Sequence, residues 1–301
     1  MTAKGRAEWY LFATTFIWGG TFVLIKVGLA DISPLLMVSI RFSLATLILF
    51  PFCMKALPHA DRKALLWGSL LGFLIFIGFI LQTLGLKETT ASKSAFITSM
   101  MVIFTPLFQW VLLRRRPKWG NLAGVIIVSI GLWFLTAPSG GGLNRGDFLT
   151  LLCSVVFGLF IVLLDFTTRR YDVLLLTFLQ IFSPAVYSWI AFFFFEQPLF
   201  RPTQTALIVL GYTAFLATVV TGSIQTRYQR DTTPTRAALI FTLEPLWAAL
   251  LGFFFLEETM GGWGMFGGGL IIGGVLISEL SEAAVAQGQR LFRSVSKFAS
   301  R

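Results

Sequence analysis

Glu244 is the residue whose type and position most strongly suggest chemistry in this sequence. It is the eleventh residue of an apolar run that begins at Pro234, and the following Pro245 favours a kink. At about 1.5 Å per helical residue it would lie about 15 Å deep, near the centre of a bilayer. An ionisable group there is costly unless it faces a cavity or a partner, so Glu244 could carry a proton or hold a cationic amine. A structural glutamate, hydrogen-bonded within a helix bundle, is the alternative.

Three further charged residues lie inside apolar runs. Arg41, about eight residues into its run, could bind a carboxylate or phosphate, pair with a carboxylate inside the protein, or reach outward to the surface. We favour a structural role for it. Lys26 and Asp165 come near the far ends of their runs, so we expect both side chains to reach the polar interface. A role at a gate or at the substrate is the alternative for these two.

Uncharged polar groups near the centres of the runs complete a candidate substrate site. Trp18 offers one indole N–H on an apolar body, and the adjacent Gly19 and Gly20 let a helix or a ligand approach closely. A role for Trp18 in core packing is as consistent with the sequence as a role in lining a cavity. The candidate hydroxyl groups belong to Thr15, Thr98, Ser99, Ser154 and Thr242. We expect many of them to form hydrogen bonds with the backbone of their own helix.

The sequence lacks the side chains that a metal site or a membrane-embedded enzyme needs. It has one histidine, His59, and two cysteines, Cys53 and Cys153. Such an inventory makes a zinc or haem site hard to build and gives no disulfide framework. The clustered His, Asp, Ser or Cys of a lipid-modifying enzyme are also missing. We therefore expect no cofactor, no metal and no catalysis.

Membrane-spanning helices must position these residues. Hydrophobic residues make up 56% of the 301 and charged residues only 13%, which leaves too little polar surface for a soluble domain. Apolar runs about 20 residues long suit helices that cross a bilayer. They lie at 8–29, 33–55, 65–86, 91–113, 119–137, 147–168, 172–195, 205–227, 234–256 and 262–280. The sequence thus predicts an all-α membrane protein with ten transmembrane helices.

The net charge of +10 is distributed by membrane side. With the N-terminus in the cytoplasm, most Lys and Arg residues fall in cytoplasmic loops, as the positive-inside rule requires. This predicts cytoplasmic N- and C-termini and a multi-pass protein of the plasma membrane, here a bacterial inner membrane. The partners that follow are the lipid bilayer and a small-molecule substrate, not nucleic acid.

One polar phrase occurs twice. QTLGLKETTASKSAFIT (82–98) and QTRYQRDTTPTRAALIF (225–241) match at an offset of 143 residues, and an earlier offset of 139 pairs Lys26 with Asp165. The loop-like stretch PSGGGLNRGD (138–147) separates five runs from five. Because five is odd, the second copy must enter the membrane from the opposite side, a plan that recurs in secondary transporters. We predict inverted five-helix repeats at 1–140 and 141–280.

The repeated phrase itself has two interpretations. Thr90 and Thr233 are suited to cap helix N-termini. A cation in a first helical turn opposes the helix dipole, yet both copies keep one. We therefore predict matching outer and inner gates, formed by Gln82 and Lys93 and by Gln225 and Arg236.

Two further features concern partners. Glycine pairs four residues apart favour close helix packing, and the protein is predicted to be a monomer or a weak homodimer through these helices. The pairs are Gly120 and Gly124, Gly264 and Gly268, and Gly269 and Gly273. The tail 281–301 is predicted to be a basic amphipathic helix on the cytoplasmic membrane surface, with a disordered tail as the alternative. Its apolar face has Leu291, Phe292, Val295 and Phe298, and its basic face Arg290, Arg293, Lys297 and Arg301.

The chain resembles the ten-helix EamA type of the drug/metabolite transporter superfamily. The stretches that carry the resemblance are FIWGGTFVLIK (16–26), SPLLMVSIRFSLA (33–45), TTASKSAFIT (89–98), LEPLWAALLGFFFLEE (243–258) and GGGLIIGGVLI (267–277). The first half departs from the Glu-Pro pattern, since Met101 and Val102 align with Glu244 and Pro245.

The resemblance implies a secondary transporter of small metabolites that works by alternating access around a midplane cavity, with a proton as a possible coupling ion. Family members export amino acids and other metabolites, so amino acids come first and export is the implied direction. Sugar phosphates, nucleosides or amphiphilic drugs are alternative cargoes, and a passive channel or scramblase is an alternative mechanism. No Walker A motif is present, so nucleotide hydrolysis does not supply the energy.

Overall fold

The described part of the chain is built from helices. The computed structural model describes residues 2–54, 57, 60–136, 144–258 and 261–299, with side chains described through residue 281 except at 135, 136 and 279. Within these ranges the β-structure is one isolated antiparallel bridge between Ile32 and Phe200. The helices are α1 Ala3–Gly28, α2 Pro34–Cys53, α3 Arg62–Glu88, α4 Ala91–Ser99, α5 Met101–Leu113, α6 Trp119–Thr136, α7 Arg145–Thr168, α8 Val173–Phe195, α9 Gln204–Ala214, α10 Thr221–Tyr228, α11 Pro234–Phe241, α12 Glu244–Leu256 and α13 Gly262–Ala299.

These helices account for the apolar runs of the sequence. Eight helical segments among the described residues are long and apolar enough to cross a membrane, and two shorter apolar helices cover Trp119–Phe134 and Gly262–Ser278. The prediction of an all-helical membrane protein is confirmed.

Two spans are broken at positions related by the 143-residue offset. α4 ends at Ser99 before α5 begins at Met101, and α11 ends at Phe241 before α12 begins at Glu244. Pro245 lies in the first turn of α12, where a missing N–H breaks no intrahelical bond. The first break has no proline beside it, so the sequence did not predict it.

Glycines let neighbouring helices reach both breaks. A Cβ on Gly19 of α1 would lie 2.8 Å from the backbone oxygen of Glu244, and a Cβ on Gly158 of α7 would lie 3.4 Å from that of Met101. Gly19 and Gly158 are related by the 139-residue offset. Each break is thus closely packed by the first long helix of the opposite half of the chain.

The glycine-rich helices α6 and α13 pack on each other within the chain. A Cβ on Gly124 would lie 2.8 Å from the backbone oxygen of Gly274. The predicted close helix packing therefore occurs within the chain, where α13 covers the glycine face of α6. An added Cβ at Gly269 or Gly273 would meet nothing within 4 Å. The α13 backbone continues to Ala299 as one helix; the predicted faces of the tail lie outside the described side chains.

Threonine caps begin α4 and α11 as the repeated phrase predicts. The Thr90 hydroxyl accepts a hydrogen bond from the Lys93 backbone N–H at 3.2 Å, and the Thr233 hydroxyl accepts one from that of Arg236 at 3.3 Å. The cap interpretation of these threonines is therefore confirmed.

Candidate functional site

An internal cavity lies between the two halves of the chain. Its volume is about 90 Å³. Aromatic side chains form much of its wall, and no Lys, Arg or His is among the described residues that line it. The aromatic residues are Trp18, Phe42, Phe79, Phe157, Phe160 and Phe241, and the polar ones are Thr21, Gln82, Thr98, Gln180, Thr218, Thr221, Gln225 and Glu244.

Glu244 lines this cavity as the first residue of α12. It is 7% exposed, and no described residue forms a hydrogen bond or an ion pair with its carboxylate. Its position at a helix N-terminus is electrostatically favourable for an anion. The described residues therefore do not support the structural alternative, in which the glutamate is hydrogen-bonded within the bundle.

Arg41 lies behind the cavity wall, where it ties α2 to a π-helical turn at Phe215–Val220. Its Nε donates to the Thr218 hydroxyl at 2.7 Å, and its Nη2 donates to the Ala217 carbonyl at 3.1 Å. The guanidinium carbon lies 4.2 Å from the centre of the Phe79 ring. Arg41 is 2% exposed, so it does not reach outward, and its hydrogen-bond acceptors in the described structure are not carboxylates.

The Ala217 carbonyl accepts hydrogen bonds from both halves of the chain. Besides Arg41, it accepts from the Trp18 indole N–H at 3.1 Å and from the Thr221 hydroxyl at 2.8 Å. A π-helical turn leaves carbonyls without their usual α-helical partners, and such turns are frequent at functional sites. The structure thus brings Trp18 to the cavity with its one polar group already bonded.

The glutamines also line the cavity, which corrects part of the gate prediction. Gln82 Nε2 donates to the Thr98 hydroxyl at 3.3 Å, and Gln225 Nε2 donates to Gln229 Oε1 at 3.0 Å. Gln82 and Gln225 therefore belong to the central cavity and not to the two faces. One N–H of each buried amide thus finds an acceptor inside the protein.

Besides Arg41, four of the predicted substrate residues lie outside the cavity lining. The hydroxyls of Ser154 and Thr242 donate to the backbone of their own helices, and Thr15 does so while also accepting from the Trp247 indole at 3.1 Å. Ser99 is fully buried, and its hydroxyl has no partner among the described residues. These four side chains are as deep in their spans as those that line the cavity, because mid-span depth does not determine which face a side chain occupies.

Lys93 and Arg236 form equivalent ion pairs that join the two halves. In the first, Lys93 Nζ lies 2.7 Å from Asp147, which also accepts from the Thr89 hydroxyl at 2.8 Å. We call these three residues the Lys93 triad.

The second set has the same composition. Arg236 Nε donates to the Glu8 carboxylate, which also accepts from the Thr232 hydroxyl at 3.3 Å. We call Arg236, Glu8 and Thr232 the Arg236 triad. The cations and the threonines of the two triads are related by the 143-residue offset and the acids by the 139-residue offset.

Lys26 and Asp165 stabilise helix ends beside these triads. Lys26 Nζ donates to the carbonyls of Leu86 at 2.8 Å and Thr89 at 2.6 Å. Asp165 has a fully buried side chain, so the prediction that it reaches the interface is wrong.

The role of Asp165 is to hold a cation. It binds Arg169 at 2.7 Å, and Arg169 donates to the Arg230 carbonyl at 2.8 Å and the Thr232 carbonyl at 3.4 Å. Thr89 and Thr232 are related by the 143-residue offset. The two halves therefore cap equivalent carbonyls, one through a lysine directly and the other through an aspartate that positions an arginine.

Sequence reasoning missed Glu8, Asp147 and Gln180. The 139-residue offset, applied throughout, pairs Glu8 with Asp147 and Arg41 with Gln180. That signal was present in the sequence, but only the contacts show that the paired acids face the cations of the opposite half.

Comparison with known proteins fits the two-part architecture. The model of the EamA-like transporter family matches residues 5–137 and again 144–280. The chain belongs to the EamA-like transporter family.

Relatives of this EamA-family protein are also named as transporters. An uncharacterized transporter from Archaeoglobus fulgidus is 32% identical over 91% of this chain and 86% of its own length. The uncharacterized inner membrane transporter YedA from Escherichia coli is 24% identical over 83% of each chain. A solved crystal structure shares the fold, with a TM-score of 0.74 and 16% identity over 94% of this chain and 99% of the other.

Proposed function

We propose that this EamA-family protein is a secondary transporter that carries small metabolites, amino acids or amino-acid-like compounds first, outward across a bacterial inner membrane. The observation that carries the proposal is the Glu244 carboxylate, which lines an internal cavity at the break of a span and has no partner among the described residues. Such a group can bind a cationic substrate or a proton, but not both at once. That competition would couple export to a proton gradient.

The two triads would serve as the gates of alternating access. Glu8 and Lys26 lie on the continuous helix α1, 18 residues apart by number, which corresponds to about 27 Å along its axis. Lys26 borders the same surface recess as Lys93. The triads therefore lie toward opposite ends of α1, as expected for inverted repeats with one gate on each side of the cavity.

The cavity favours some cargoes over others. A sugar phosphate would be attracted to cationic side chains, but the described lining contains one formal charge, and it is negative. An aromatic wall with polar groups suits an amphiphilic solute. This argues for an amine-containing metabolite over a phosphorylated one.

Transport by purified protein in proteoliposomes tests the proposal. A panel of radiolabelled amino acids, amines, nucleosides and sugar phosphates is offered with and without an imposed pH gradient. Gradient-driven accumulation of an amino-acid-like solute supports a coupled transporter. Movement that only equilibrates the solute, at a rate that does not saturate, would indicate a channel, and movement of labelled lipid alone would indicate a scramblase.

A further inference from the structure

Most hydrogen-bond donors in the cavity wall are already used inside the protein. The Trp18 indole donates to the Ala217 carbonyl, and the Thr218 and Thr221 hydroxyls donate to the carbonyls of Thr213 and Ala217. Each of these hydroxyls has one proton, so none remains for a ligand.

Gln180 differs from these residues because its side-chain carbonyl lacks a partner. The residue is 2% exposed, and its Oε1 is a buried atom that accepts no hydrogen bond within the described structure. The Thr226 hydroxyl donates to the Gly222 carbonyl at 2.7 Å, so its oxygen can only accept from Gln180 Nε2. This contact fixes the orientation of the amide and leaves its buried oxygen without a donor, in a residue that lines the cavity. A buried acceptor without a donor destabilises the empty cavity.

The same reasoning orients Gln225. Gln229 Nε2 donates to the Ile161 carbonyl at 2.7 Å, so Gln229 Oε1 is the atom that accepts from Gln225 Nε2 at 3.0 Å. No described residue donates to Gln225 Oε1. The oxygens of these two oriented amides and the Glu244 carboxylate are therefore unpartnered acceptors in residues that line one cavity. The Gln82 amide oxygen also accepts no hydrogen bond from a described residue.

We propose that the cavity selects its cargo by a protonated primary amine, whose charge pairs with Glu244 and whose N–H groups donate to Gln180 and Gln225. The aromatic wall would hold the apolar body and add a cation–π contribution. Each amide keeps one further N–H, which suits the carboxylate of an amino acid. The proposal rests on the proposed transport function and narrows its substrate class.

Binding of three matched ligands to the purified full-length protein tests this selectivity. Phenethylamine is cationic, 2-phenylethanol is neutral and 3-phenylpropanoate is anionic. A ligand that binds the native state raises its melting temperature. Phenethylamine is expected to raise it and the other two are not. Equal shifts with 2-phenylethanol or 3-phenylpropanoate, or no shift with phenethylamine, would overturn the proposal.

Substitutions of Gln180 and Gln225 test whether their side-chain amides produce the selectivity. Gln180→Leu removes the acceptor, and the dissociation constant for phenethylamine is expected to rise on the order of tenfold, the equivalent of one lost hydrogen bond. Gln225→Leu is a second, independent variant. Thr177→Val is the matched control on the same helix, because its hydroxyl bonds Val173 and lies outside the cavity lining. Wild-type affinity in both glutamine variants would overturn the proposal.

Uptake into proteoliposomes separates this inference from the function on which it rests. If solutes without an amine are carried as fast as phenethylamine, the amine selectivity is wrong and transport stands. If binding is amine-selective and no solute moves, transport is wrong and the selectivity stands.

Discussion

Lys93 Nζ lies 2.7 Å from Asp147 Oδ2, an ion pair between α4 and α7 in which the aspartate side chain is fully buried. Arg236 and Glu8 form the equivalent pair between α11 and α1. Each cation of one half thus pairs with the acid at the start of the opposite half. In the proposed alternating access, opening at either end separates one such pair.

Separating the largely buried pair of Lys93 and Asp147 costs about 3 kcal/mol. Lys93→Ala removes this cost, so the variant is expected to open more readily at the end of the protein where Lys93 lies. A cysteine in place of Gly222, which lines the cavity and has its nearest neighbour 3.6 Å from an added Cβ, reports access. Labelling by a membrane-impermeant maleimide should rise at least ~10-fold from the Lys93 side. Arg236→Ala should raise labelling from the other side.

The control is the exchanged pair Lys93→Asp with Asp147→Lys, which should return labelling toward the wild-type level. Unchanged labelling from both sides in Lys93→Ala and in Arg236→Ala would mean that the pairs are structural and do not control access.

Asp165→Ala is expected to destabilise the protein by roughly 2 kcal/mol, since Arg169 loses the buried carboxylate that directs it to the Arg230 and Thr232 carbonyls. Thermal unfolding in detergent measures the effect. Asp172, which caps α8 through the Leu175 N–H at 2.8 Å, offers a comparison variant, Asp172→Ala, with a cap loss of about 1 kcal/mol. A smaller effect for Asp165→Ala than for Asp172→Ala would contradict the capping role.

The sequence predicted the spans and the threonine caps because hydropathy and capping act locally. It also identified Glu244, Trp18 and Thr98, which the fold brings to one cavity. It misplaced Asp165, because the depth of a charge along a span says nothing of a partner such as Arg169 one turn away. The break at Met100 was equally hidden, since no proline marks it.

Gly19→Ala is expected to destabilise the protein by about 1–3 kcal/mol through overpacking. Its Cβ would lie 2.5 Å from the Trp247 Cβ, so α1 would have to move away from α12. Gly211→Ala is the control, because nothing lies within 4 Å of its added Cβ. In the middle of α9 that substitution should be neutral or stabilise by up to ~1 kcal/mol. Equal melting temperatures for both variants would show that the contact at Gly19 is not close.

The most direct test of the account is proton-driven uptake by Glu244→Gln in proteoliposomes, compared with wild type and with Thr177→Val. Wild type and Thr177→Val should accumulate labelled phenylalanine or phenethylamine when a pH gradient is imposed. Glu244→Gln should fold with a similar melting temperature and lose at least ~10-fold of the gradient-driven rate, since the amide cannot exchange a proton or balance an amine. Gradient-driven uptake by Glu244→Gln at the wild-type rate would contradict the claim that this carboxylate couples transport.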